Sequence, residues 1–201
     1  LYDSNRAMPL DGDSKFKALK KAYAKGTELR GKTLGVIGFG RIGQATAKMA
    51  LGLGMKVIAF DPFLEKTTLS LSFYDGQTID FEISTVSKET VLKESDFISL
   101  HVPAQKEFVI GKAELELMKN GAGLINAARG GVVDEVALVS ALNSNKLAFA
   151  GLDTFENEPT PSVQLLMNPK ISLTPHIGAA TNQAQDRIGS ELASQIISIL
   201  K

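Results

Sequence analysis

The stretch Lys32-Thr-Leu-Gly-Val-Ile-Gly38-Phe-Gly40-Arg-Ile-Gly43 limits what this chain can fold into more than any other. Its first part is a short apolar run that reads as a buried strand, its glycines fall as G-x-G-x-x-G, and residues 44–53 carry a helical apolar period. The pattern is strand, tight turn, helix. Gly38 permits the sharp turn, Gly40 lets the backbone approach a pyrophosphate, and Gly43 lets the helix pack close to the strand. The phosphates would rest on the free N–H groups and positive dipole end of that helix. Glycines in this spacing also mark ordinary turns, so the context decides. A second strand, Lys56 to Phe60, ends in Asp61, about 20 positions downstream, where the fingerprint places a carboxylate for the adenosine ribose hydroxyls. A carboxylate there repels the extra phosphate of NADP, which makes NAD the expected cofactor.

The 201 residues suffice for one sizeable core and part of a second domain. The chain starts at Leu1 within a polar segment, which reads as a fragment of something longer. Its 22 basic and 22 acidic residues balance, so neither nucleic acid nor an anionic membrane is the expected partner. Cysteine is absent, which excludes disulfides and thiolate chemistry, and no metal site is expected. No apolar stretch reaches membrane-spanning length and no signal-peptide pattern is visible, so a soluble, cytoplasmic protein is expected.

Residues 1–30 read as a connector leading from a missing N-terminal part, with one helix through Lys15 to Ala24 halted at Lys25-Gly26. After Asp61-Pro62, two alternating segments flank Asp75-Gly76 and read as a hairpin. A three-residue loop over Asp75 to Gln77 pairs Phe73 with Ile79 and Leu71 with Phe81; a two-residue loop puts Phe73 opposite Thr78. The first register buries one face and is preferred. Helices are expected over Val86–Ser95, Lys112–Lys119, Asp134–Asn143 and Gln183–Leu200, and strands over Asp96–Pro103, Gly123–Asn126, Phe149–Asp153 and Ile171–His176. This alternation predicts an α/β fold with a doubly wound parallel sheet. Each polar oddity then lies just past a strand, along one edge of the sheet.

Arg129 follows a strand directly among small residues, which suits a guanidinium gripping a carboxylate through two parallel hydrogen bonds; a surface arginine paired with a neighbouring acid is the alternative. His176 follows Thr174-Pro175 at a strand end, and a lone histidine there is either a packed side chain or a proton carrier. His101, inside an apolar strand, reads as structural. If Glu158 meets His176, its carboxylate favours the imidazolium and fixes the tautomer, as a proton shuttle requires. Oxidising an alcohol with NAD needs a hydride acceptor, a base and a substrate anchor. The glycines with Asp61, His176 with Glu158, and Arg129 fill those places.

At these residues the chain resembles the D-isomer-specific 2-hydroxyacid dehydrogenases. The resemblance runs from Glu28 onward through Gly-Phe-Gly-Arg-Ile-Gly at 38–43, Leu-His-Val-Pro at 100–103, Ile-Asn-Ala-Ala-Arg-Gly-Gly at 125–131, Gly-Leu-Asp-Thr-Phe-Glu-Asn-Glu-Pro at 151–159 and Thr-Pro-His-Ile-Gly-Ala-Ala-Thr at 174–181. It implies a Rossmann-type domain, with Arg129 orienting the substrate carboxylate, His176 as acid/base and Glu158 as its partner. The NAD contacts it implies fall on Arg41, Ile42, Asp61, Val102, Pro103, Ala127, Ala128, Asp153 and Gly178. The match is closest to the branch that oxidises 3-phosphoglycerate in serine biosynthesis; glycerate, lactate or formate-type substrates and an NAD-responsive corepressor are the alternatives. The neutral composition and the intact Arg129, Glu158 and His176 disfavour the corepressor. In the family a substrate domain of roughly a hundred residues comes first. It is missing here, which implies 1–30 as connector, 31–176 as the NAD-binding domain and 177–201 as a helix packing back toward the substrate domain. A homodimer or larger homo-oligomer acting on a small molecule is expected. Gln105–Ile110 is shorter than the family's usual connector, and the hairpin near Asp75 is longer.

Overall fold

The computed structural model describes residues 2–24 and 26–200. Two helices lead in, α1 (Tyr2–Asp11) and α2 (Phe16–Tyr23). The first nucleotide-fold unit follows as β1 (Thr33–Ile37), α3 (Arg41–Gly52) and β2 (Lys56–Phe60). Next come the hairpin β3 (Lys66–Ser72) and β4 (Thr78–Ser84), then α4 (Lys88–Glu94), β5 (Phe97–Leu100), α5 (Lys112–Leu117) and β6 (Ala122–Asn126). The chain continues through α6 (Glu135–Asn143), β7 (Leu147–Leu152), α7 (Val163–Leu166), β8 (Ile171–Leu173) and α8 (Asn182–Ile199).

Six strands form one sheet in the order β2-β1-β5-β6-β7-β8, every pair parallel. The chain steps outward from β1 to β2 and then crosses to β5 on the other side of β1. That reversal opens a crevice at the carboxyl ends of β1 and β5. Outside β2, among the described residues, there is only a single parallel bridge, Ala59 to Thr85, where a further strand would lie. Both faces of the sheet are covered, so β1 is buried along its whole length. Ile37 joins a large apolar cluster with Leu100, Leu124, Leu138 and Leu152, whereas its neighbour Val36 joins a smaller one with Phe39, Ala47, Ala59 and Leu69. This is the period of two expected of a strand with helices on both sides.

The hairpin adopts neither register anticipated from the sequence. Leu71 faces Ile79 and Leu69 faces Phe81, and the loop is Tyr74-Asp75-Gly76, closed by the Phe73 N–H donating to the Gln77 carbonyl at 2.8 Å. Gly76 has φ +84°. A three-residue hairpin loop places its left-handed residue last, so Gly76 ends the loop instead of centring it. The observed pairing differs from the preferred one by two residues, which leaves the same side chains on the same face; burial alone could not separate the two. Leu69 is fully buried against the α3 side of the sheet, so the hairpin extends the smaller cluster.

The leading segment holds two helices where one was expected. Pro9 lies inside α1, and a proline there reads in sequence as a break. The second helix stands close to the expected Lys15–Ala24; Lys25 of the expected stop lies outside the described residues. The short α7 was not anticipated. Neither α2 nor α8 has a buried residue, and Ile188, Leu192, Ile196 and Ile197 of α8 are all exposed.

Candidate active site

The glycine turn sits at the mouth of the crevice. Gly38 has φ +90°, its N–H donates to the Phe60 carbonyl at 2.9 Å, and a Cβ built on it would lie 2.5 Å from the His101 carbonyl oxygen. No other residue fits there. At Gly43 a Cβ would lie 2.2 Å from the Gly38 oxygen, so the helix meets the turn backbone to backbone. Gly40, by contrast, has open space where a Cβ would be, which is what a phosphate resting on the N-terminus of α3 requires. Asp61 does more than end β2. Its Oδ2 accepts the Phe39 N–H at 2.7 Å and its Oδ1 the Phe63 N–H at 2.9 Å, so one carboxylate ties the glycine turn to the neighbouring strand. Lone pairs remain on both oxygens for ribose hydroxyls.

Beside this turn lies a cavity of about 510 Å³ lined by Gly38, Phe60, Pro62, Val102 and Phe108 among others. Arg41 and Ile42, on the first turn of α3, are both largely exposed, and the Arg41 guanidinium reaches Glu191 of α8 at 3.3 Å. Pro103 continues the chain from Val102 on the exposed side. A slot whose apolar walls carry Lys88, Lys106 and Glu107 as well, with Asp61 between Phe60 and Pro62 and an open helix N-terminus beside it, fits an adenosine diphosphate moiety.

The second group of residues comes from three loops past β6, β7 and β8. Nδ1 of His176 and Oε2 of Glu158 are 2.9 Å apart. An ionised carboxylate only accepts, so Nδ1 carries the proton, and in the neutral ring Nε2 is the acceptor. Oε1 of Glu158 accepts the Phe155 N–H at 3.0 Å. The His176 hydrogen bond first, and the Phe155 N–H second, hold the Glu158 carboxyl below its ordinary range. His176 itself has φ +55°. The loop bearing it is braced by Asp153, which accepts the Thr174 hydroxyl, the Ile177 N–H at 2.8 Å and the Gly178 N–H at 2.7 Å. Burial pushes the Asp153 carboxyl up, but these donors outweigh it and the net displacement is downward. Ala127, Asp153 and Gly178 are neighbours, since a Cβ on Gly178 would lie 2.8 Å from Asp153 Oδ2 and 3.8 Å from the Ala127 methyl.

Arg129 is shaped by Asn126, which the sequence reading passed over as a mere strand end. Asn126 Nδ2 donates to the Arg129 carbonyl at 2.9 Å and its Oδ1 accepts the Ala128 N–H at 3.1 Å. The guanidinium donates to the Ala128 carbonyl at 2.6 Å. Among the described residues no carboxylate pairs with it, which disfavours the surface ion pair. His101 is half-buried with Nε2 3.0 Å from the Ser99 hydroxyl; burial lowers its pKa, in keeping with a structural imidazole. A cavity of about 430 Å³ adjoins His176 and Glu158, lined otherwise by Phe155, Pro159, Leu166 and Leu173.

Residues 5–178 match the family described as D-isomer specific 2-hydroxyacid dehydrogenase, NAD binding domain. The chain belongs to that family. Relatives of this D-2-hydroxyacid dehydrogenase domain include a hydroxypyruvate reductase of Thermotoga maritima, 45% identical over 90% of this chain and 57% of its own length. A glyoxylate reductase of Thermococcus litoralis is 46% identical over 88% of this chain and 51% of its own. A D-3-phosphoglycerate dehydrogenase of Archaeoglobus fulgidus is 43% identical over 88% and 32%. Among solved structures, D-2-hydroxyisocaproate dehydrogenase superposes with a TM-score of 0.78 at 34% identity, covering 94% of this chain and 60% of that one. The NAD-complexed D-isomer specific 2-hydroxyacid dehydrogenase of Lactobacillus delbrueckii superposes with 0.72 at 31% identity, covering 88% and 55%. The chain thus spans about half the length of the first of these relatives. Its cofactor is NAD. Among the described residues no helix is long and apolar enough to cross a membrane.

Proposed function

We propose that this chain is the cofactor-binding lobe, 31–176, of an enzyme that oxidises a small D-2-hydroxy acid to the 2-oxo acid, with 3-phosphoglycerate as the leading substrate. The observation that carries the chemistry is the 2.9 Å contact of His176 Nδ1 with Glu158, on the same sheet edge as the glycine turn. NAD, when bound, supplies the hydride acceptor. Glu158 holds the imidazole so that Nε2 takes the proton of the substrate hydroxyl, and the carboxylate partner stabilises the imidazolium that forms. Arg129, its carbonyl held by Asn126 and with no acidic partner among the described residues, grips the substrate carboxylate. Arg41, Ile42, Asp61, Val102, Pro103, Ala127, Ala128, Asp153 and Gly178 line the path assigned to the dinucleotide.

Relatives named as D-3-phosphoglycerate dehydrogenases in several organisms support the leading substrate. A second reading, reduction of hydroxypyruvate or glyoxylate, is favoured by the 45% and 46% identities to relatives bearing those names. Helix α8, with no residue buried, fits a segment that packs against a substrate domain, as does the lead-in over 1–30. A cytoplasmic homodimer is consistent with these features. The test is cofactor turnover by the protein joined to its substrate lobe, assayed in both directions with 3-phosphoglycerate, glycerate, lactate, hydroxypyruvate and glyoxylate. Greatest kcat/KM with 3-phosphoglycerate supports the first reading; greatest kcat/KM with hydroxypyruvate or glyoxylate supports the second.

A further inference from the structure

We infer that Glu135 and Glu156 are positioning residues, a two-way clasp that fixes the loop carrying Glu158 against the loop carrying Arg129; the inference rests on the active-site reading above. Glu135 opens α6, six residues after Arg129 in sequence. Glu156 lies two residues before Glu158. The two exchange hydrogen bonds reciprocally: the Glu135 N–H donates to Glu156 Oε1 at 2.9 Å, and the Glu156 N–H donates to Glu135 Oε1 at 2.8 Å. Each side chain therefore satisfies the other residue's backbone donor, and removing either one leaves a donor without its acceptor.

The clasp closes a contact that is already tight. A Cβ on Gly130 would lie 1.9 Å from the Phe155 carbonyl oxygen, so the Arg129 loop and the Phe155 loop touch backbone to backbone. From the clasp the connection runs through Phe155, whose N–H is held by Glu158 Oε1, to Glu158 Oε2 and on to His176 Nδ1. The Glu135 side is anchored in the domain: Glu135 is 9% exposed, and α6 packs its Leu138 and Leu142 into the core. Glu156 is exposed. Two acids facing one another are a costly way to staple a loop. Burial raises the Glu135 pKa, the Glu156 N–H lowers it and the charge of Glu156 raises it, with a net displacement upward. The two N–H donors aimed at the pair offset only part of that cost. A purely structural loop would be served by apolar packing; this arrangement instead sets the distance between the substrate anchor and the acid/base pair.

The test uses this chain labelled with 15N at histidine, NAD titration by calorimetry, and thermal unfolding. In the unaltered protein the His176 ring nitrogens should show the Nδ1–H tautomer. Glu135→Ala and Glu156→Ala should each move His176 toward the Nε2–H form while NAD is still bound, its dissociation constant raised by no more than about tenfold, because the glycine turn and Asp61 lie outside the clasp and only Ala127, Ala128 and Asp153 lie on the loops it joins. Glu135→Gln keeps an oxygen acceptor for the Glu156 N–H and should restore the unaltered signature. The double Ala variant should be displaced further than either single one, since each single substitution leaves one of the two bonds in place. His176 unchanged in folded Ala variants overturns the clasp while leaving the active-site reading intact. A greater loss of NAD affinity, in step with the fall in Tm, also overturns it, because that is general loosening. An unaltered protein lacking the Nδ1–H signature overturns the active-site reading, and this inference with it.

Discussion

His176 Nδ1 lies 2.9 Å from Glu158 Oε2, although the two residues sit 18 positions apart on loops past different strands. In the full enzyme His176→Ala should lower kcat by about 10²–10⁴-fold, the usual worth of a positioned general base. Glu158→Gln should lower it less, since an amide still orients the ring. Because the Glu158 carboxyl is held below its ordinary value of 4.5, the pair should stay assembled as pH falls to that value and come apart only below it. Steady-state kinetics of the variants, with a pH profile of the unaltered enzyme, check both statements; equal kcat in unaltered enzyme and His176→Ala would remove the histidine from the mechanism.

Asp61 should decide the cofactor. Its carboxylate braces the Phe39 N–H and is the group proposed to meet the adenosine ribose, so Asp61→Ala should weaken NAD more than NADP. Calorimetry on this chain measures it. Equal affinity of the unaltered protein for both cofactors would contradict the assignment.

Substituting two glycines should have opposite outcomes. Gly130→Ala drives a methyl to within 1.9 Å of the Phe155 oxygen and should cost about 1–3 kcal/mol of stability. Gly189 lies inside exposed α8 with nothing within 4 Å of its Cβ position, so Gly189→Ala should stabilise the helix by up to about 1 kcal/mol. Denaturant unfolding compares them, and a Gly130→Ala protein as stable as the parent would mean the two loops are not in the contact described.

Acid should loosen the molecule from the opposite end of the sheet as well as from the site. Asp96 accepts the Thr33 N–H at 2.8 Å and Lys119 at 3.1 Å. Burial raises its pKa, but these partners outweigh it and the net shift is below 3.8. A depressed folded-state value contributes stability that is present above 3.8 and is lost as pH falls through the lower, folded value. Asp153 behaves the same way. Glu135 has the opposite sign: its raised value favours the fold below 4.5, and that contribution is lost as pH rises through the folded value. Melting curves from pH 2 to 7 should therefore show an acid limb that flattens in Asp96→Asn.

Cofactor binding should survive in this chain alone while turnover is at least about 10²-fold below that of the protein joined to its substrate lobe, because Arg129 then has nothing opposite it to orient the substrate or exclude water. Side-by-side assays with 3-phosphoglycerate and NAD test this. Comparable kcat values would show that the cleft is complete within these residues.

Much of the architecture was legible in the amino-acid sequence. The alternation of apolar runs and helical periods marks all six strands of the sheet, and Gly38, Gly40 and Gly43 mark the phosphate turn, because each depends on local rules of period and backbone freedom. Local rules fail where two solutions bury the same face. The hairpin shows this: Leu71 opposite Ile79 and Leu71 opposite Phe81 look alike in pattern, and only the left-handed Gly76 at the loop's end separates them. The helix through Pro9 escaped for a related reason, since a proline reads as a break whatever surrounds it. Within the site, His176, Glu158 and Arg129 stand out as residue types past strand ends. The pairing of Glu158 with His176 was expected and is found, but its 2.9 Å geometry depends on how β7 and β8 align in register. Asp153 as the brace of the His176 loop, Asn126 as the support of Arg129, and the Glu135–Glu156 exchange belong wholly to the tertiary structure. Hydrogen bonds between segments distant in sequence leave no periodic trace along the chain.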